Sequence, residues 1–220
     1  MFQNLDYVLP ILAQGFVTTL WLTLASFALA LVIGGILALM HVSPAPPARW
    51  AATAYTQFFR NIPLLVILVL FLFGFTALGI GKGMASWIWA IIGLGTYTGA
   101  LVGETLRSGI NSISLGQAEA ARSIGLTFGQ SLSSVILPQA FRTVVPPLGS
   151  LFIALVKNSA LASAVGIIEL SGVADQLQED RNVSVSIWTI VIGVILFYLI
   201  INLPASYLIR VAEKRAAISR

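Results

Sequence analysis

Four stretches of this 220-residue sequence contain no Asp, Glu, Lys or Arg over lengths comparable to the thickness of a lipid bilayer. They cover residues 7–48, 61–81, 83–103 and 182–209. A helix of about 20 apolar residues crosses a bilayer and satisfies its own backbone hydrogen bonds there. Charged residues make up 9% of the chain, against roughly 25% in soluble domains. The sequence therefore predicts an all-α membrane protein in which residues 1–220 form one membrane domain.

The apolar runs and their flanking residues predict five transmembrane helices. These helices are expected at residues 16–40, 62–80, 86–106, 143–166 and 187–208. Pro10 interrupts residues 2–14, which we expect to lie at the membrane interface as a separate short segment. Three prolines after the first helix predict a loop: Pro44, Pro46 and Pro47. Pro63 favours the start of the second helix, because a proline in the first turn removes no needed hydrogen bond. Tryptophans typical of a membrane interface open the third and fifth helices: Trp87, Trp89 and Trp188.

The distribution of basic residues predicts the orientation, because Lys and Arg accumulate in cytoplasmic loops. An external N-terminus puts nine of the twelve bases inside: Arg49, Arg60, Arg107, Arg122, Arg142, Arg210, Lys214, Arg215 and Arg220. Lys82 and Arg181 then lie outside, and Lys157 lies within the fourth helix. The opposite orientation reverses this ratio. We therefore expect the N-terminus outside and the C-terminus in the cytoplasm.

Composition excludes several classes of function. The net charge is +4, but the bases are scattered among apolar segments rather than gathered into a patch, so no nucleic acid partner is expected. The chain has no cysteine and one histidine, His41, so neither a thiolate site nor a metal site is predicted. No acid pair or nucleophile with a nearby base is spaced for catalysis, which argues against an enzyme.

Residues 114–138 form a polar, alanine-rich loop between the third and fourth predicted helices. Ser114 and Thr127 each precede a glutamine by three residues, which is the pattern of a helix capping box. We therefore expect two short helices, the first ending at Gly125 and the second limited by Pro138. Glu119 and Arg122 are spaced to pair, and small residues allow another surface to approach closely. A solvated helix without a partner is the alternative interpretation.

The loop resembles the EAA loop of membrane subunits of ATP-binding cassette importers. Glu119 to Gly125 reads EAARSIG, and after nine residues Val135-Ile136-Leu137-Pro138 follows. Only Val135 departs from the pattern, where isoleucine is usual. Four further segments resemble the polar amino acid permease branch: residues 60–65, 104–110, 137–142 and 156–161. Ser114-Leu115 replaces the Pro-Lys of that branch, and Asn61-Ile62 replaces its Gly-Thr.

The resemblance implies a type I ABC importer fold in which the first loop helix docks on an ATPase as a coupling helix. The residues assigned to coupling are Gly116, Gln117, Glu119, Ala120, Ala121, Arg122 and Gly125. The sequence lacks a phosphate-binding G-x-x-x-x-G-K-[ST] motif, since Ile80 follows Gly74 to Gly79 where lysine is required. ATP and Mg²⁺ are thus expected in a partner ATPase, with no cofactor in this chain.

The resemblance also implies a set of partners. They are two ATPase subunits, a second permease chain that is identical or homologous, an extracytoplasmic substrate-binding protein, the lipid of the bacterial cytoplasmic (inner) membrane, and a polar amino acid such as glutamate, glutamine or a basic one. A stand-alone secondary transporter or channel for small polar solutes is the alternative function.

Charged and polar residues within the spans are candidates for the transport site. The predicted substrate contacts are Lys157, Asn158, Ser159, Tyr97 and Ser163. Lys157 either meets the carboxylate of an amino acid, extends to the interface, or pairs with Glu169. The predicted structural or gating residues are Arg60, Pro63, Glu104, Arg107 and Pro138, with Glu104 and Arg107 expected to form a local pair that positions the loop. Four acids are expected to give the outer loop a negative face: Glu169, Asp175, Glu179 and Asp180.

Overall fold

The computed structural model describes residues 4–180 and 185–218, and every helix below lies in these ranges. The helices are α1 (Leu5–Val42), α2 (Pro46–Asn61), α3 (Leu64–Val69), α4 (Phe75–Ala77), α5 (Ser86–Asn111), α6 (Leu115–Ser123), α7 (Phe128–Ser131), α8 (Leu137–Asn158), α9 (Leu170–Glu179) and α10 (Ile187–Ile218). π-Helical turns join α3 to α4 over Leu70–Gly74 and α7 to α8 over Leu132–Ile136. Arg181 and Arg220, two bases used to predict the orientation, lie outside the described residues, as do residues 2 and 3.

The described residues contain four helical segments long and apolar enough to cross a membrane. A fifth is present if α2 and the segment Leu64–Ala77, which meet at an angle of 103°, are counted as one broken span. The protein is thus an all-helical, multi-pass membrane protein with four to five candidate spans.

The segment before the first predicted span is not separate from it. α1 runs without a break from Leu5 through Pro10 to Val42. Pro10 is the sixth residue of the helix and removes one backbone hydrogen bond without ending it. Val8 and Leu12, on either side of it, are buried in a cluster with Leu170 and Val173, and this packing stabilises the helical end. The prediction of an interfacial segment at residues 2–14 was therefore wrong over the residues that the structure describes.

The loop predicted from Pro44, Pro46 and Pro47 was also wrong in part. α2 occupies 16 residues of it, and Pro46 lies in the first turn of that helix, where a proline is favourable. α2 ends before Pro63 because a proline drives the preceding residue into extended backbone, and Ile62 has φ −106° and ψ 134°. Pro63 then immediately precedes α3, in agreement with the expected helix start.

α1 and α5 pack against each other along glycines. A methyl group at Gly34 would lie 2.4 Å from Cγ1 of Val102, and one at Gly99 would lie 2.8 Å from Cγ2 of Ile33. Small residues allow close helix contact where lipid provides no hydrophobic drive for association. Leu22, Leu94 and Leu155 form the adjoining core between α1, α5 and α8.

The prediction that Trp89 lies at a membrane interface was wrong. It is 4% exposed and packs against Phe71 and Phe75, with ring centroids 6.3 and 5.9 Å away. Trp87 and Trp188 are exposed at the starts of α5 and α10. The tryptophan pattern indicates the helix start, but the helix face decides which ring is buried.

Candidate functional site

The α6 helix ends at Gly125 as predicted. Gly125 has φ +85°, a left-handed conformation that glycine adopts without steric cost. Its N–H donates to the Arg122 carbonyl at 2.9 Å, and the Leu126 N–H donates to the Ala121 carbonyl at 3.1 Å. This pair of bonds is a Schellman motif, which satisfies carbonyls at the helix end and turns the chain sharply.

Of the two predicted capping boxes, only the one at Thr127 forms. The Thr127 hydroxyl accepts from the Gln130 N–H at 3.3 Å, and the Thr127 N–H donates to Gln130 Oε1 at 2.9 Å. Ser114 makes no side-chain cap. The Gln117 side chain instead accepts from Nε2 of Gln139, at 3.5 Å, so a contact with α8 replaces the local cap.

Pro138 does not end the second loop helix, contrary to prediction. α7, the π-helical turn and α8 are consecutive, and Pro138 lies in the first turn of α8. The π-helical turn just before it shifts the hydrogen-bond register there. Gln139 Nε2 also donates to the Val135 carbonyl at 2.9 Å, which satisfies a carbonyl of that turn. The loop is thus continuous with the long apolar helix that follows it.

The residues assigned to coupling are mostly exposed. Those with exposed side chains or, for glycine, exposed backbone are Gly116, Gln117, Glu119, Ala120, Arg122 and Gly125. Ala121 is only 4% exposed, so it packs against its own chain rather than presenting a surface. Glu119 and Arg122 are both described by the structure, but they do not form the predicted ion pair. Arg122 Nε instead donates to the Ala118 carbonyl at 3.3 Å.

Three apolar residues of this loop were missed by the sequence analysis. Leu115 is 79% exposed, Ile124 is 77% exposed and Phe128 is 55% exposed. Within an apolar membrane sequence such residues do not stand out. Their position in a polar loop is the available signal, because clustered exposed apolar side chains mark interaction surfaces.

The two ends of the loop are held together by a close contact between α5 and α8. A methyl group at Gly109 would lie 2.0 Å from Cγ1 of Val144, and both residues are buried. The predicted pair between Glu104 and Arg107 is present in the last turns of α5, with Arg107 Nη2 2.5 Å from Glu104 Oε1. The loop that contains α6 therefore begins and ends at two helices that are in contact.

Beside this contact lies a polar cavity of 380 Å³, which we call the α2 cavity. It is bounded by the end of α1, one face of α2 and the end of α5. Its charged lining residues are Arg49, Arg60, Glu104 and Arg107. The structure thus brings Arg60 together with Glu104 and Arg107, a proximity that the sequence analysis did not predict.

The predicted substrate contacts are distributed over α5, α8 and the 3₁₀-helical segment Ser159–Val165. Lys157 is exposed at the end of α8. The Ser159 hydroxyl donates to the Val156 carbonyl of α8 and the Ser163 hydroxyl donates to the Ala160 carbonyl, each at 2.8 Å. Tyr97 packs beside the core cluster of Leu22 and Leu94, and Asn158 is half-buried.

Glu169 does not belong to a solvated negative face, and it does not pair with Lys157. Its side chain is fully buried and accepts four hydrogen bonds. The donors are the N–H groups of Ser171 and Gly172, the Tyr198 hydroxyl at 2.9 Å and the Thr19 hydroxyl at 3.3 Å. One carboxylate therefore caps α9 and connects it to α1 and α10. Asp175 and Glu179 are exposed as predicted, whereas Asp180 accepts from the Tyr7 hydroxyl.

Comparison with known proteins assigns the family. Residues 30–218 match the family of binding-protein-dependent transport system inner membrane components. The chain belongs to this family. The importer membrane subunit inferred from the loop pattern is thereby confirmed, and nothing found supports the stand-alone transporter.

Individual relatives agree with this family. The chain is 39% identical to the probable glutamine ABC transporter permease protein GlnM of Bacillus subtilis (strain 168), over 92% of this chain and 91% of that protein. It is 34% identical to the glutamate/aspartate import permease protein GltK of Escherichia coli O157:H7, over 95% of each. A crystal structure of an amino acid ABC transporter matches with a TM-score of 0.89 and 31% identity, over 98% of each chain.

Proposed function

We propose that this chain is the permease subunit of an ATP-binding cassette importer that carries a polar amino acid into the cytoplasm by alternating access. The names of the relatives support the amino acid class, since they include a glutamine permease and a glutamate/aspartate permease. The distribution of bases supports a bacterial cytoplasmic membrane protein with five spans, an external N-terminus and a cytoplasmic α6.

The observation that carries the mechanism is the construction of α6. It is an exposed helix with a sharp glycine exit, it contacts α8 through Gln117 and Gln139, and it emerges from α5 and α8 where they touch at Gly109 and Val144. Leu115 and Ile124 give its surface apolar contacts for a partner. We infer that an ATPase holds α6 and that its movement displaces α5 and α8 together.

ATP and Mg²⁺ belong to the partner in this proposal, because the chain has no phosphate-binding motif. The complete importer contains two ATPases, a second permease chain and an external substrate-binding protein. Five spans are few to enclose a transport pathway, which favours a pathway formed between two permease chains.

Lys157 is the proposed contact for the substrate α-carboxylate, with Asn158 beside it. A charge in this part of the chain is costly on the order of 2.5–3.5 kcal/mol on insertion scales, which favours a functional role. Lys157 has no ion-pair partner among the described residues. Its charge is therefore available to a ligand.

Reconstitution tests the proposal. The permease is placed in liposomes with its co-purifying ATPase, binding protein and any second permease, and uptake of radiolabelled glutamate, glutamine and arginine is measured. We expect uptake of at least one amino acid. This uptake should require ATP on the side of the membrane where α6 lies and the binding protein on the opposite side. ATP-independent uptake by this chain alone would support the stand-alone transporter instead.

A further inference from the structure

We propose that the α2 cavity binds the phosphate headgroup of an anionic phospholipid, whose acyl chains lie along the neighbouring exposed stripe of α2. This inference depends on the protein lying in a bilayer and not on which substrate it carries. The cavity lies at the ends of α1 and α5, beside the start of the α6 loop. That place is the boundary between apolar helix and polar loop, where lipid headgroups are found.

The cavity has an excess of positive charge. Three guanidinium groups, of Arg49, Arg60 and Arg107, line it against the single carboxylate of Glu104. Arg107 is committed to Glu104 through two hydrogen bonds, at 2.5 and 3.0 Å. One carboxylate therefore leaves two of the three positive charges uncompensated, and an anionic ligand is favoured over a zwitterionic one.

Arg60 is the guanidinium most available to a ligand. Arg49 Nη1 already donates to the carbonyls of Ser43 and Pro44, at 2.9 and 3.0 Å. Arg60 is exposed, and over residues 4–180 and 185–218 its side chain makes no hydrogen bond or ion pair. Its planar donor groups suit a phosphate, which accepts two parallel hydrogen bonds.

The surface of α2 is divided into three lengthwise sectors, and this arrangement favours lipid over free phosphate. Residues three and four apart lie on one face of a helix. The polar sector contains Arg49, Thr53, Gln57 and Arg60, which line the cavity together with Trp50 and Thr56 of the two flanking sectors. A second sector is buried against α1 and α5 and contains Ala52, Thr56 and Phe59. The third is exposed and apolar and contains Trp50, Ala54 and Phe58.

The exposed apolar sector directly adjoins the polar sector, since Trp50 lies three residues before Thr53 and Ala54 lies three residues before Gln57, and Trp50 itself lines the cavity. Trp50 is 77% exposed and Phe58 is 54% exposed. Tryptophan beside basic residues on an amphipathic helix is typical of a membrane interface. A lipid fits both sectors at once, with its phosphate at Arg60 and its chains along Trp50, Ala54 and Phe58. A free phosphate ion leaves the apolar sector unused.

Native mass spectrometry of the full-length chain with its co-purifying partners tests the site. Phosphatidylglycerol and phosphatidylcholine of identical acyl chains are titrated separately, and the thermal unfolding midpoint is followed in parallel. We expect tighter binding of phosphatidylglycerol. Arg60→Gln should weaken that binding about fivefold, as expected for one basic group near a membrane surface. Arg60→Lys should bind phosphatidylglycerol less tightly than the wild type but more tightly than Arg60→Gln, because it keeps the charge and loses the paired donors. Arg142→Gln, at an exposed arginine outside the cavity, should leave the binding unchanged.

Several results would overturn the proposal. Equal binding of the two lipids contradicts it, as does an Arg60→Gln protein that binds phosphatidylglycerol like the wild type. If millimolar inorganic phosphate displaces the lipid and raises the unfolding midpoint by the same amount, the cavity binds the free ion and the lipid proposal is wrong. A disulfide between two copies of a Phe58→Cys permease in the membrane would show that protein covers the apolar sector. If Arg60→Gln does not fold, Arg60→Lys provides the test, and binding of phosphatidylglycerol as tight as that of the wild type would contradict the role of Arg60.

Discussion

Gly125 is the residue on which the shape of the loop depends most directly. Its φ of +85° is strained for any residue with a side chain, at a cost of about 1–2 kcal/mol. We expect Gly125→Ala to insert normally but to reduce ATP-dependent uptake in reconstituted liposomes, because α6 no longer leaves at the same angle. Gly125→Asp should abolish uptake.

The matched control is Gly129→Ala. Gly129 lies in α7, is not among the glycines with positive φ, and has open space around its Cα. An alanine there should leave both uptake and stability unchanged. Loss of uptake in both variants would point to general damage to the loop rather than to the Gly125 turn.

Glu169 is the residue whose role differs most from the sequence-based prediction. Composition suggests a solvated acid, but Thr19 and Tyr198 are 150 and 29 residues away in the chain and no local pattern shows that they meet. Capping of α9 by Glu169, which accepts from the N–H groups of Ser171 and Gly172, is local and is recognisable only after the helix start is known. Long-range polar contacts of this kind are decided by the packing of helices.

We expect Glu169→Ala to lower the free energy of unfolding by about 3 kcal/mol, since it leaves several buried donors without an acceptor. Thermal unfolding in detergent measures the change. Glu179→Ala, at an exposed acid of the same helix, serves as control and should have little effect. Equal stability of the two variants would contradict the buried network.

At the scale of elements, the long helices were the part best predicted from sequence. α5 begins at Ser86, where the prediction began, and α10 begins at Ile187. An uncharged apolar run leaves few alternatives to a helix in lipid. α2 was missed because its prolines were interpreted as loop residues, although the first turn of a helix accepts them.

Capping shows why local patterns alone are insufficient. Ser114 and Thr127 have the same spacing to a glutamine, yet only Thr127 caps its helix. The difference lies in Gln139, which is 22 residues from Gln117 in the sequence. The Gln139 side chain donates to the Gln117 side chain, so Gln117 does not pair with Ser114. The sequence therefore predicted where these helices begin but not which contacts stabilise their ends.

The contact between α5 and α8 gives a prediction at this scale. Gly109→Leu places a large side chain against Val144 and the Ala140 carbonyl, and should separate the two helices. We expect lower uptake. We also expect ATP hydrolysis by the assembled importer to become independent of the substrate-loaded binding protein. Gly35→Ala, in α1 with no atom near its added methyl group, is the control. Normal coupling in Gly109→Leu would show that the helices do not need this contact.

For the whole molecule, the α6 loop, the α5–α8 contact and the ends of the helices far from that loop form one connected series of contacts. α6 rests against α8 through Gln139, α8 continues into the segment Ser159–Val165, and Glu169 connects the following α9 to α1 and α10. In the proposed mechanism, a movement imposed at α6 follows this series of packed elements to the opposite side of the membrane. The account depends on a partner ATPase holding α6 in the cytoplasm.

Site-specific cross-linking at Glu119 tests that claim most directly. The chain contains no cysteine, so Glu119→Cys introduces the only thiol of this subunit. In membranes carrying the assembled importer, we expect a reagent with one thiol-reactive and one amine-reactive end to join Glu119→Cys to the ATPase, with a yield that changes when ATP is added. Trp188→Cys, at the exposed start of α10, should form no such product. Labelling of Glu119→Cys only from the external side, or a yield no higher than that of Trp188→Cys, would contradict the account.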